Sequence, residues 1–104
     1  MTVGEWVRAR EPAPPTRLGA RIEAAVGNGR GEPAAQAGDV CLAACESLLN
    51  DVLTRATSGR ESALDLLAAD ALATYALEAA AEAPSALEAR ARDAMRRLAA
   101  IASE

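Results

Sequence analysis

Residues 63–81, ALDLLAADALATYALEAAA, carry large apolar side chains on nearly every side of the helix they predict. At about 100° per residue, Leu64, Leu66, Leu67, Leu72, Tyr75 and Leu77 spread around most of its circumference. A helix that is apolar all round must be covered on several faces, so this one is expected at the centre of a helical assembly. Its neighbours carry narrower stripes. Leu18, Ile22 and Val26 recur at i, i+4 and i+8 in a helix predicted over 16–26, which Gly27 stops. From Pro33 or Asp39 to Thr57, the residues Cys41, Leu42, Cys45, Leu48, Leu49, Val52, Leu53 and Ala56 share one arc. Glu46, Ser47, Asn50, Asp51 and Thr54 lie opposite them. A last helix follows Pro84, with Leu87, Ala91, Ala94, Met95, Leu98 and Ile101 as its buried stripe.

Polar residues mark the element ends. Thr2 and Glu5 have capping-box spacing ahead of Trp6 and Val7, which predicts a short helix over 2–10. Pro12, Pro14 and Pro15 then impose a stiff, extended connector. The segment GNGRGEP at 27–33 reads as a flexible loop, with Pro33 as a first helical residue. Ser62 is placed to cap the central helix, with Asp65 as a first-turn acid favoured by the dipole. Ser85 and Glu88 form a second capping box, and Glu88–Arg92 and Asp93–Arg97 are favourable i, i+4 pairs. Short breaks at 58–60 and after Ala83 make the three main helices antiparallel neighbours, with the second helix packed across them. The predicted fold is all-α: a small up-down helical bundle of three main helices, a shorter N-terminal helix and an arm, completed by dimerisation. Residues 1–32 form the arm and 33–104 the compact helical body.

Composition supports this picture and narrows it. Of 104 residues, 28 are Ala and 12 Leu, while Phe is absent and Trp and Tyr occur once each. Ala is the strongest helix former, but each buried methyl contributes little at about 25 cal/mol per Å², so the core is thin. A second subunit would thicken it. The net charge is −4 and every basic residue is Arg, which argues against a nucleic-acid binder needing a basic face. No apolar run follows a basic start, and none is long enough to span a bilayer. A soluble, cytoplasmic chain with reduced cysteines is expected.

Few residues offer chemistry. The chain has neither His nor Lys, so triads and Schiff bases are out of reach. Asp70, Thr74, Glu78 and Glu82 form an acidic line at four-residue spacing, and no basic residue lies between Glu61 and Glu88. Together with Glu46 or Asp51 such carboxylates would hold Mg²⁺ and a diphosphate or nucleotide; without Asp-rich motifs they read as a solvated seam. Residues 66–79, LLAADALATYALEA, resemble a helix of prenyl diphosphate synthases, but the length and Asp-rich motifs of that family are absent. Cys41 and Cys45 share one helix face, where packing is the expected role over a redox pair, half of a metal site or an intersubunit bridge. GNGRG follows a helix rather than a strand and matches no phosphate loop. Arg90, Arg92, Arg96 and Arg97 make a basic patch suited to helix-dipole pairing, or to the acidic central helix of another copy.

The expected function is interaction: a scaffold, adaptor or regulatory subunit acting as a homodimer, with no catalytic residue, metal or cofactor. Leu66, Leu72, Tyr75 and Leu77 are the expected self-association residues. Trp6 and Val7 on the arm either engage another protein or fold back over their own core. Two alternatives are a carboxylate-metal enzyme, and a helical pocket for a small apolar ligand beside Tyr75.

Overall fold

The computed structural model describes residues 1–55, 59–82 and 84–103, the side chains at 61, 84–87 and 90 excepted. Its α-helices are α1 (Val3–Arg8), α2 (Thr16–Val26), α3 (Ala37–Arg55), α4 (Arg60–Ala81) and α5 (Pro84–Ala102), with 3₁₀ turns at Gly27–Gly31 and Ala34–Gln36. The class is all-α. The predicted second capping box at Ser85, the Leu87 position, Arg90 and the helix end at 56–57 lie outside the described residues.

Helix α1 is held by the expected capping box: Glu5 N–H donates to Thr2 Oγ1 at 3.3 Å and Thr2 N–H to Glu5 Oε1 at 2.9 Å. The GNGRG segment is not a flexible loop. Gly27 turns the chain at φ +55°, a conformation that favours glycine. Gly29 lies so close to α3 that a Cβ there would meet Val40 Cγ1 at 2.6 Å, and Val40 is β-branched and stiff. The turn is then tied to the N-terminus, since Val3 N–H donates to Glu32 O and Ala34 N–H to Met1 O. Of its three glycines, Gly27 makes the turn and Gly29 admits the close approach of Val40.

Helices α3 and α4 run in opposite directions. The end of α3 meets the start of α4 through Arg55 and Asp65, while Gly38 and Leu42 face Ala76 and Ala80 across a shared groove. Helix α4 also packs against α2 and α5, so three helices surround it. One core holds Val3, Trp6 and Val7 from α1, Ile22 and Val26 from α2, Cys41, Cys45 and Leu48 from α3, and Ala68, Leu72 and Tyr75 from α4. The radius of gyration, 13.3 Å, is that of a compact unit of this length (about 13 Å), so the N-terminal residues are folded in.

Cover on α4 is incomplete. Its buried residues, Tyr75, Ala68, Leu72, Asp65, Ala76, Ala69 and Ala80, occupy an arc of roughly 140°. Leu66, Leu67 and Leu77 lie outside it and are about half exposed. Leu53 of α3 and Met95 of α5, both expected inside, are exposed too. Ser62 is not a cap: α4 starts two residues earlier behind Gly59, leaving Ser62 in the helix and buried.

Candidate functional site

The aromatic pair defines one side of the molecule. Trp6 is 4% exposed and meets the edge of Tyr75 at 6.4 Å between centroids and 85° between planes. This T-shaped contact matches the ring quadrupoles. Arg10 lies over the other part of the cluster, with Cζ 3.8 Å from the Trp6 ring centroid, and donates from Nε to Trp6 O at 3.1 Å. Trp6 Nε1 donates to Glu82 at 3.2 Å, and Arg10 pairs with Glu78 at 3.6 Å. Trp6 and Val7 are therefore seated in their own chain's core, the folded-back alternative, rather than displayed on an accessible arm.

Those contacts also decide what the acidic line does. Glu78 and Glu82 hold the N-terminal helix, and Glu46 pairs with Arg97 of α5. Asp70 is exposed on α4. Among the described residues no group of three or more His, Cys, Asp or Glu is arranged around a common metal position. Cys41 and Cys45 are buried free thiols. Burial pushes Cys41 up to about 12 and raises Cys45 as well, with Glu46 and Asp70 adding to the latter. A thiol so far from ionising is a poor nucleophile and metal ligand; both residues fill space.

A buried ionic cluster joins α2, α3 and α4 where the sequence suggests only a first-turn acid. Asp65 is almost wholly buried, and its carboxylate accepts from Arg21 Nε of α2 at 2.6 Å and from Arg55 of α3 at 2.5 Å. Burial by itself would raise its pKa, but the hydrogen bonds and charges of the two guanidinium groups outweigh burial and hold it below the usual carboxylate value. The signal was in the helical period: Asp65 falls within the arc of Leu72, Tyr75 and Ala76. An acid in that position must find partners.

Comparison with known proteins returns no matching family model, no matching curated protein and no matching solved structure. Function therefore rests on surface and cavities. Between α3, α4 and α5 runs an apolar groove of about 170 Å³, lined by Leu42, Ala73, Ala76, Leu77, Ala80 and Leu98 among others. Leu77, 51% exposed, and Met95, 70% exposed, stand at its edge. Leu66 lies three turns along α4 from Leu77 on the same side and is 48% exposed. Of the expected association residues, then, Leu66 and Leu77 reach the surface together, whereas Leu72 and Tyr75 are interior. Of the charged residues lining the groove Asp39 is exposed and Asp93 half-buried, while Arg92 and Arg96 are exposed and pair with Glu88 and Asp93 along α5. Among the described residues no helix is long and apolar enough to cross a membrane.

Proposed function

We propose that this chain is a non-catalytic interaction protein of the cytoplasm that works as a homodimer, a second copy completing the up-down body of α3, α4 and α5. The observation that carries the proposal is the protrusion of Leu77 and Met95 beside an apolar groove, with Leu66 on the same side of α4. A two-fold interface requires one face to supply both ridge and recess, and this face does. The absence of His and Lys supports the non-catalytic reading. Engagement of another protein through Trp6 and Val7 would first require α1 to leave the core, so the α4–α5 face is the preferred surface.

Sedimentation velocity of the intact chain, 10.7 kDa as a monomer, tests this at high micromolar concentration. The expected result is a dimer that Leu77→Glu with Met95→Glu converts to monomer. Because both side chains are exposed, the double variant keeps its helical circular dichroism and melts cooperatively. A wild-type monomer throughout the concentration range, or a dimer indifferent to both substitutions, would overturn the proposal.

A further inference from the structure

The sulfur atoms of the chain belong to two cysteines and two methionines, and the fold treats the two kinds oppositely. Cys41 and Cys45 are sealed in the core at 0% and 2% exposure, and burial raises both thiols. Oxidants attack thiolates that solvent can reach, so neither cysteine is a competent target in the folded protein. The thioethers lie outside. Met1 is 77% exposed at the N-terminus, and Met95, the only internal methionine, is 70% exposed on α5.

Met95 stands where a change of polarity has a consequence. It lines the apolar groove between α3, α4 and α5, whose other large apolar residues are Leu42, Leu77 and Leu98. Alanines make up most of the remaining wall, so Met95 supplies a sizeable share of the groove's apolar surface. Met1 has no part in that wall.

We propose, resting on the dimer reading, that Met95 is an oxidation switch: hydrogen peroxide converts it to the sulfoxide and so disables the groove face as an interface, while Cys41 and Cys45 stay reduced. The sulfur lone pair attacks one peroxide oxygen, and the S–O bond forms as the O–O bond breaks. The departing hydroxide takes the proton left on the transferred oxygen, and water is released. Sulfur loses two electrons and the peroxide gains them. A strong S–O dipole then replaces an apolar thioether. Pressed against a second copy, that oxygen loses its water and gains no donor from the groove, whose polar side chains, Asp39 and Asp93, are acceptors. Two-fold symmetry puts two such groups in each dimer, which is expected to weaken association about thirtyfold or more. The attack takes place on the free protomer, where the sulfur is open, and mass action draws the remaining dimer apart.

The test treats the intact chain with hydrogen peroxide and follows it by peptide mass mapping, thiol titration after unfolding, and sedimentation velocity. The Met95 peptide is expected to gain a single oxygen, both thiols to titrate as before, and the dimer to give way to monomer with unchanged helical circular dichroism. Methionine sulfoxide reductases A and B together, one for each epimer, should restore the dimer. Met95→Leu keeps an apolar side chain without sulfur, so it should stay dimeric at the same peroxide dose even with Met1 oxidised. A dimer that persists with Met95 fully oxidised would overturn the switch and leave the dimer standing. So would a Met95→Leu protein that dissociates equally, or thiols lost before Met95 reacts. A protein that is monomeric before peroxide is added would overturn both.

Discussion

At the scale of single residues, the position that most constrains the fold is Asp65. Its carboxylate ties α2 and α3 to α4 through Arg21 and Arg55. The asymmetry of burial matters here: the acid is enclosed, whereas the two arginines keep part of their side chains in water. Removing the acid leaves two guanidinium groups facing each other without a counter-charge. Asp65→Asn, which keeps the volume, is therefore expected to cost about 2–3 kcal/mol in urea denaturation at pH 7. The pH dependence has a definite sign. A carboxyl held below its unfolded value of about 4 stabilises the fold above that pH, and the contribution disappears as pH falls through the lower folded value. Wild-type stability should thus fall below about pH 4, and part of that fall should be missing in the Asn variant. Equal stability of the two proteins at pH 7 would mean that the paired arginines contribute nothing.

At the scale of elements, the helices are legible because their stops are chemical: Pro15 before α2, Gly27 after it, Gly59 before α4 and Pro84 at the start of α5. The stripe Leu18, Ile22, Val26 packs as its spacing predicts. What periodicity does not reveal is how far a neighbour reaches. Leu53 and Met95 belong to apolar stripes, yet both are exposed, because a stripe marks a face and says nothing of the length of its cover. Nor does it distinguish a glycine that loosens a turn from one that admits a close neighbour, as Gly29 admits Val40. Helix α5 shows the consequence of short cover. Among its described side chains only Ile101 is buried; Ala91, Ala94 and Leu98 are half-buried, and the ion pair of Arg97 with Glu46 fixes it to α3. Its amides should exchange faster than those at the centres of α3 and α4. Glu46→Gln should accelerate α5 exchange by about fivefold, equivalent to about 1 kcal/mol, with the α4 centre unchanged. Uniform exchange across all three helices would contradict this ranking.

At the scale of the whole molecule, the composition poses a problem that the N-terminal residues solve. An alanine-rich pair of helices buries little per residue, and the largest aromatic in the chain lies outside α3, α4 and α5. Folding α1 and α2 onto α3 and α4 brings Val3, Trp6, Val7, Ile22 and Val26 into the same core as Cys41, Leu72 and Tyr75. The acidic line on α4, read by itself as a solvated seam, becomes the fastening for this lid through Glu78 and Glu82. The energetic weight can be set against the total. Each large apolar side chain contributes about 1.5–3 kcal/mol of burial, so those five together supply on the order of 10 kcal/mol, comparable to the entire stability of a small domain at about 5–15 kcal/mol. A second copy docked as proposed on the α4–α5 face would not replace them, because that face lies on another side of α4. A chain of residues 33–104 is therefore expected to lose cooperative thermal unfolding by circular dichroism, even at high micromolar concentration. Trp6→Ala in the intact chain should cost about 3–5 kcal/mol by the same reasoning. If the shortened chain melted as sharply as the intact one and within a few degrees of it, the N-terminal residues would be an appendage rather than part of the core.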